Sequence, residues 1–250
     1  MQIEINRQIS AEEYVTKTVN WPHSQLKDYN FAIMKLSGGL DSAMVLYMLC
    51  KYIREEQPDL SVVPMTHNDW VKPFQIKWAE KVLNWMRNEF PDVKILNHET
   101  SQMVHGDDYI QAQIRDKLAI IRRLKQEGTI TYPTITIHGV NMAPPNEVTN
   151  QFLDWDGEVM DGPGDRTGIQ NEWKPEWHMF RPIINLDKKD VAELYKKFNL
   201  QDTLFELTRS CENPSAEITE NFETHCEDPK LAINGECWFC KERKWGFGKI

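Results

Sequence analysis

Short apolar segments alternate with segments of helical periodicity along the first 141 residues of this chain, and this alternation restricts its possible folds more than any other feature. Four apolar segments are predicted strands, at 31–36, 60–69, 92–99 and 133–141. Between them, apolar residues at helical spacing predict three helices, at 42–54, 72–90 and 107–128. Strands that alternate with helices of this length form βαβ units, so we predict an α/β protein with a doubly wound parallel sheet.

Local patterns add detail to these helices. The helix over 42–54 is apolar on nearly every side, which predicts deep burial against the sheet. The helix over 107–128 is predicted to end at Gly128, and its predicted inward residues are Ile114, Leu118, Ile121 and Leu124. A later helix is predicted to follow Asp187 as its N-cap, with Val191, Leu194, Tyr195 and Phe198 buried. A short helix is also predicted within the polar segment 10–19.

The second half of the chain divides into two regions of unusual composition. Residues 142–177 are rich in Gly and Pro and show no sustained period, which is typical of a lid, a binding loop or a disordered insertion. From Thr208 onward, the composition changes to cysteine, glycine and proline. We therefore predict an α/β domain over 1–205, with an insertion at 142–177, and a cysteine-rich tail over 206–250 packed on it.

Charge and hydropathy argue against two classes of partner. The net charge of −9 and the pI near 5.3 argue against stable binding of nucleic acid, because the overall field repels phosphate backbones. Residues 1–20 contain no apolar core of a signal peptide, and the apolar run at 43–50 is too short to span a bilayer. We therefore expect a cytoplasmic protein that makes no membrane contact.

The sequence Ser-Gly-Gly-Leu-Asp-Ser at 37–42 lies between a predicted strand and a predicted helix. Such a turn presents backbone N–H groups at a helix N-terminus, where the helix dipole favours an anion. Gly38 and Gly39 allow a phosphate to approach the backbone closely, and the serine hydroxyls can donate to its oxygens. Asp41 either holds Mg²⁺ or orients the start of the helix. The loop has no Walker A lysine and no dinucleotide fingerprint, and the remaining alternative is a simple tight turn capped by Asp41 or Ser42.

This string resembles the signature of the PP-loop ATP pyrophosphatases. The resemblance implies that ATP places its pyrophosphate in the loop, and that attack at the α-phosphorus releases pyrophosphate. It implies a nucleotide-binding set of Leu36, Ser37, Gly38, Gly39, Leu40, Asp41, Ser42, His67 and Gly139. His67 ends the second predicted strand, where it either lines the adenine pocket or is an ordinary polar loop residue.

A second segment, at 180–211, resembles the proline- and lysine-containing segment of the same enzymes. Lys188 falls on the lysine of that family, so it either reaches the phosphates or is a solvated lysine in the first turn of a helix. The resemblance implies catalytic roles for Asp41 and Lys188, with ATP and Mg²⁺ as cofactors.

Four of the five cysteines lie at or after position 211, which favours a metal site over disulfides in a reducing compartment. Cys237 and Cys240 form a C-x-x-C pair, and Cys211 and Cys226 can complete a tetrahedral zinc site. Four thiolates leave no open position, so this zinc is predicted to be structural. A redox pair, or His225 in place of one cysteine, are the alternatives. Cys50 is predicted to be a small core residue.

The tail pattern made by Cys240, Arg243, Gly246 and Phe247 resembles the C-terminus of 7-cyano-7-deazaguanine synthases, the PP-loop enzymes of queuosine and related deazapurine pathways. The resemblance implies that 7-carboxy-7-deazaguanine is adenylated, converted by ammonia to the amide, activated again and dehydrated to the nitrile. It also implies a homodimer. The sequence departs from the family in the spacing of Cys226 and in the segment after the fourth strand, which reads "GVNMAPPNEVTNQF".

Three functions remain open from the sequence. The preferred one is ATP-dependent conversion of a deazapurine carboxylate with ammonia. A PP-loop enzyme that thiolates tRNA is the second, and iron with labile sulfide would favour it over zinc. A non-catalytic nucleotide-binding variant is the third.

Overall fold

The computed structural model describes residues 1–68, 74–104, 106, 108–153, 157–160, 162, 166–211 and 237–249. Its strands are β1 (Gln2–Gln8), β2 (Tyr14–Asn20), β3 (Phe31–Lys35), β4 (Ser61–Asn68), β5 (Glu99–Gln102), β6 (Thr134–His138), β7 (Trp173–Lys174) and β8 (Met179–Phe180). Its helices are α1 (His23–Leu26), α2 (Leu40–Glu56), α3 (Gln75–Glu89), α4 (Tyr109–Gln126), α5 (Asn146–Thr149), α6 (Lys188–Lys197) and α7 (Trp238–Phe247).

A six-stranded sheet of order β5-β4-β3-β6-β8-β7 forms the centre of the molecule. All neighbouring pairs are parallel except β7 and β8, where β7 is an antiparallel edge strand. Alternate residues of β3 point to opposite faces: Met34 joins the core formed with α2, α3 and α6, whereas Ile33 packs with α4. Helices therefore cover both faces, which confirms the predicted α/β fold with its parallel sheet.

The helices that flank the central strand match their predicted positions. Helix α2 buries most of its residues, as its apolar sequence predicted, and α4 ends just before Gly128, whose φ is +72°. Asp187 is the N-cap of α6 and forms a capping box with Asp190. In the described part of the chain, no helix is long and apolar enough to cross a membrane.

The prediction of a short helix within 10–19 was wrong. Strands β1 and β2 instead form an antiparallel hairpin, with Gln2 opposite Asn20 and Gln8 opposite Tyr14. Alternation of the buried Ile3 and Ile5 with exposed polar residues is the period of a strand, and it outweighs the helix-forming residues nearby. The hairpin forms its own two-stranded sheet and packs against α6.

Three further predictions need correction. The third predicted strand, at 92–99, contributes only a single bridge from Ile95 to Val62, and β5 begins where that segment ends. Leu118 does not face inward: it is 51% exposed, because α4 buries Ile120, Ile121 and Leu124 instead. The insertion predicted at 142–177 contains α5 and the edge strand β7, and it is followed by β8, a parallel strand that the sequence analysis missed.

Candidate functional site

The loop between β3 and α2 brings the chain from the sheet into the first turn of a buried helix. Gly38 has a φ of +76°, and a Cβ added there would lie 2.5 Å from Cβ of Trp78 and 2.7 Å from the backbone nitrogen of Ala79. The position therefore requires glycine both for its backbone conformation and for its packing against α3. The backbone oxygen of Gly38 accepts a hydrogen bond from the amide of Arg209 at 2.9 Å, which joins the loop to the segment after α6.

The polar groups of the loop bond to one another. The Ser37 amide donates to Oγ of Ser42 at 3.2 Å, the Gly39 amide donates to Oγ of Ser37 at 3.3 Å, and Ser42 Oγ donates to the Gly39 oxygen at 3.0 Å. The N–H groups in the first turn of α2 have no acceptor within the helix. This arrangement places oriented donors and the positive end of a helix dipole together, which suits an anion.

A cavity of about 510 Å³ opens beside this loop, at the carboxyl ends of the central strands. In open parallel sheets, ligands bind at this edge. The polar residues in its wall include Ser37, Asp41, Gln75, Asn141, Arg166, Lys188, Arg209, Ser210 and Glu242, and the wall also contains Gly39, Gly139 and Cys211.

Lys188 and Asp41 meet in the wall of this cavity, although they are 147 positions apart in the sequence. Lys188 is the first residue of α6 and is only 2% exposed, and its Nζ lies 2.5 Å from Oδ2 of Asp41. Nζ also donates to Oδ1 of Asn141 at 3.4 Å. The other carboxylate oxygen of Asp41 is buried and has no hydrogen-bond partner among the described residues. The solvated alternative for Lys188 is therefore excluded.

A buried ion pair that the sequence did not predict lies behind Lys188. Glu242 of α7 is 1% exposed, and its carboxylate pairs with the guanidinium of Arg166 and lies 3.4 Å from Nζ of Lys188. Arg166 also donates from Nε to the Asn141 oxygen at 3.0 Å. No local motif marks Arg166 or Glu242, because they meet only when the segment around 166 and the tail fold onto α6.

A smaller cavity of about 140 Å³ adjoins the first and shares Ser37, Gln75, Gly139 and Val140 with it. Lys35 and His138 lie side by side at the ends of β3 and β6 and contribute to its wall, together with Gln113 of α4. Burial, reinforced by the charge of Lys117, lowers the pKa of Lys35 to about 8. Burial and the neighbouring cations also hold the pKa of His138 well below its ordinary value, so this imidazole is neutral.

The proposed nucleotide-binding residues line the two cavities, except Gly38 and Leu40, which line neither. Those in the larger cavity are Ser37, Gly39, Asp41 and Gly139, and those in the smaller cavity are Leu36, Ser37, Ser42, His67 and Gly139. Gly38 lies against Trp78 and Ala79 of α3. Leu40 is fully buried in the core, where its backbone oxygen accepts a hydrogen bond from the Tyr195 hydroxyl at 2.9 Å.

Three of the four predicted metal ligands lie together. The Sγ atoms of Cys211, Cys237 and Cys240 are all within 4.8 Å of one another, and Cys237 is the N-cap of α7. Cys226, the fourth predicted ligand, lies outside the described residues. Cys50 is fully buried in α2, where burial raises the pKa of its thiol, as expected of a core residue.

Comparisons with known proteins give weak structural similarity and no match in sequence. No protein-family model and no curated protein matches the chain. Among solved structures, the chain is similar to the U34-tRNA thiolase NcsA from Methanococcus maripaludis with its 4Fe-4S cluster, at 15% sequence identity and a TM-score of 0.42. The match covers 70% of this chain and 59% of the length of that protein.

Proposed function

We propose that this chain is a PP-loop enzyme that uses ATP to adenylate a carboxylate. One observation carries the proposal: the Ser-Gly-Gly loop at the start of α2 and Lys188 from α6 converge on the same cavity. Phosphoryl transfer depends on positioning the reactants and on neutralising charge. Hydrogen-bond donors from two distant segments, placed beside a helix N-terminus, can do both.

The residues of the cavity have separate roles in this proposal. The backbone amides of Ser37–Ser42 bind the β- and γ-phosphates, and Lys188 stabilises the charge that develops on the leaving pyrophosphate. The substrate carboxylate oxygen forms a bond to the α-phosphorus, while the bond to the bridging oxygen of pyrophosphate breaks. Ammonia then displaces AMP from the acyl adenylate and leaves the amide.

The donors at Asp41 fit a magnesium ion. Its buried Oδ1 has no hydrogen-bond partner among the described residues, Asp41 lines the larger cavity, and carboxylate oxygens are ligands that Mg²⁺ prefers. When bound, the ion would neutralise charge on the phosphate oxygens.

The three clustered cysteines fit a zinc ion. Sulfurs that share one zinc lie roughly 3.8 Å apart, given a Zn–S bond of about 2.3 Å, and the observed separations of up to 4.8 Å are compatible with that spacing. Cys211, Cys237 and Cys240 would hold the ion, with Cys226 as the proposed fourth ligand. It would fix the start of α7 against the segment that follows α6.

We propose a deazaguanine carboxylate as the substrate and its nitrile as the product. Of the tail residues that carry this resemblance, Gly246 lies against the start of α6, and Arg243 and Phe247 contact the segment that follows α6. A Cβ added at Gly246 would collide with the side chain of Lys188, and Phe247 packs 4.8 Å from the ring of Phe205. Arg243 is 1% exposed and donates to the backbone oxygens of Phe205 and Thr208. In the second cycle, the amide oxygen bonds to the α-phosphorus of another ATP and pyrophosphate leaves; the C–O bond then breaks to release AMP, and loss of the two amide N–H protons leaves the nitrile.

A second candidate function is thiolation of tRNA. It is favoured by Cys211, which lies in the wall of the larger cavity beside the proposed phosphate site. The close spacing of the three sulfurs suits a single ion better than the wider spread of an iron–sulfur cube. Metal analysis separates the two functions, because zinc supports the ligase and iron with labile sulfide supports the thiolase.

Two adjacent lysines provide the test of the proposed chemistry. Lys188 faces the cavity, whereas Lys189 is exposed and lies 4.9 Å from the ring of Trp245. With ATP, Mg²⁺, ammonia and 7-carboxy-7-deazaguanine, we expect the wild type to release AMP, pyrophosphate and the nitrile. Lys188→Met should lower the rate about 100-fold or more, and Lys189→Met should leave it nearly unchanged. If wild type forms no AMP, or if both variants turn over at its rate, the proposal fails.

A further inference from the structure

Lys35 lies at the edge of the smaller cavity and has no counter-ion among the described residues. It ends β3 on the sheet face that carries Ile33, and its register partners are Met65 on β4 and His138 on β6. Its Nζ donates to the amide oxygen of Gln113 on α4. No carboxylate lies within 4.0 Å of this ammonium group in the described segments of the chain.

The surrounding charged groups do not supply the missing negative charge. Lys117 on α4 adds a second positive charge, and His138 is neutral. On β4, His67 lies 3.3 Å from the carboxylate of Asp116, which also accepts a hydrogen bond from Arg115. Arg181 contributes positive charge on the side of His138. The net charge facing the cavity is therefore positive.

Two buried polar atoms of this cavity also lack partners among the described residues. They are Oε1 of Gln75, a residue only 7% exposed, and Nε2 of His138. Buried polar groups in folded proteins are almost always hydrogen-bonded, so the unpaired ones in this cavity wall are available to a bound ligand or to water. The burial of Lys35 is similarly unfavourable until an anion is near it.

We propose that the smaller cavity binds the carboxylate end of the acid substrate, with Lys35 as the counter-ion of that carboxylate. This inference rests on the proposed adenylation. The cavity suits a small planar anion, since its volume is about 140 Å³. It also opens into the larger cavity at Ser37 and Gly139, so a carboxylate beside Lys35 faces the loop that holds the nucleotide. The unpaired groups of Gln75 and His138 then serve polar atoms of the ligand ring.

Lys35 ends the run of apolar residues in strand β3. The preceding residues of β3 are Ala32, Ile33 and Met34, which are fully buried, and an apolar residue at position 35 would continue this core. A lysine whose pKa is lowered to about 8 costs stability that an apolar side chain would not. A role in binding the acid explains why the cost is tolerated.

Calorimetry of binding without turnover tests the inference. The probes are 7-carboxy-7-deazaguanine and 7-cyano-7-deazaguanine, which share the ring system and differ in the carboxylate. We expect the wild type to bind the acid at least tenfold more tightly than the nitrile. Because the carboxylate favours charged Lys35, binding at pH 8.5 should take up a proton, to a maximum of about three quarters of one per site for a pKa of about 8. Titrations in buffers of different ionisation enthalpy measure this uptake.

Two variants distinguish the specific effect of Lys35 from the effect of removing any lysine charge. Lys35→Met should weaken binding of the acid at least tenfold and abolish the proton uptake, while binding of ATP stays within about twofold and reports an intact fold. Lys125→Met is the matched control, because Lys125 is exposed on the same helix as Gln113 and lies 3.7 Å from the ring of Tyr132. It should leave both measurements unchanged.

Several results would overturn the inference. The inference fails if the wild type does not bind the acid, or if binding takes up no proton. It also fails if Lys35→Met binds the acid as tightly as the wild type does. If inorganic pyrophosphate, rather than the acid, produces the proton uptake that Lys35→Met loses, Lys35 belongs to the phosphate site and the inference is wrong. These outcomes are distinct from failure of the proposed function, which is measured by AMP release from the wild type.

Discussion

Replacing Gly139 by alanine tests whether the first turn of α2 must lie close to the end of β6. A Cβ built on Gly139 would lie 2.5 Å from Cα and 2.7 Å from the backbone nitrogen of Ser42. Carbon atoms in contact prefer about 3.5–4.0 Å, so the two backbones must separate by roughly 1 Å. Strain of this kind costs about 1–3 kcal/mol of folding free energy.

The same displacement should weaken nucleotide binding. Ser42 accepts from the Ser37 amide and donates to the Gly39 oxygen, so moving it changes the loop that is proposed to hold the phosphates. A hydrogen bond to a charged group contributes about 1.5–3 kcal/mol, so loss of a single one lowers affinity roughly 10- to 150-fold. We expect Gly139→Ala to bind ATP at least tenfold more weakly in calorimetry, and to unfold at lower urea.

Gly128→Ala is the matched control for this experiment. Gly128 has a φ of +72° at the end of α4, and an added Cβ would meet no atom within 4 Å. Alanine there should cost about 1–2 kcal/mol of stability through backbone strain alone and leave ATP affinity unchanged. If Gly139→Ala binds ATP as the wild type does, or if both variants lose affinity equally, the contact between Gly139 and the loop does not govern nucleotide binding.

Three further predictions concern the metal, pH and the N-terminal hairpin. We expect the wild type to bind zinc, and Cys240→Ser to lose it and to melt at lower temperature, whereas Cys50→Ala should retain the metal. Equal zinc content in wild type and Cys240→Ser would refute the site. Between pH 8 and 10.5, the unfolded chain keeps a proton on Lys35 that the folded chain releases, so wild-type stability should rise relative to Lys35→Met by up to about 1.4 kcal/mol per pH unit in denaturant titrations. A difference that is flat or falls with pH would contradict the lowered pKa. Arg7→Met should cost about 3 kcal/mol in urea unfolding, because Arg7 lies 2.5 Å and 2.9 Å from two buried carboxylates at the start of α6, and the exposed Gln8→Ala should cost little.

Most of the central sheet could be predicted from the sequence because its signals are local. Strand β3 and the middle of helix α2 are largely apolar, and their junction contains two glycines. The capping box of Asp187 is likewise a pattern within four residues. Strand β8 was not predicted because it has only two residues. Its neighbour β7 belongs to the sheet because it pairs with β8. Two residues carry no periodicity.

The candidate site was predictable only where a motif extends along the chain. Asp41 and Lys188 each belong to a segment with a recognisable pattern, although only the fold shows their 2.5 Å contact. Arg166 lies in a segment without periodicity, and Glu242 follows a cysteine in a short helix. Lys35 appears in the sequence as the polar end of a strand. Its isolation from carboxylates is a three-dimensional property that no spacing reveals.

In the described part of the chain, the tail is joined to the Ser-Gly-Gly loop through Lys188. Glu242 lies two residues after Cys240, so the cysteine cluster at the start of α7 fixes the position of a carboxylate that pairs with Arg166 and approaches Lys188. A buried carboxylate without these partners would be costly, and if α7 moved away Arg166 would lose its ion-pair partner, whereas Lys188 would keep only the carboxylate of Asp41. Release of the metal should therefore disturb the charge balance around Lys188 as well as the tail. If zinc is bound at the proposed site, this coupling links it through Glu242 and Lys188 to Asp41 at the start of α2.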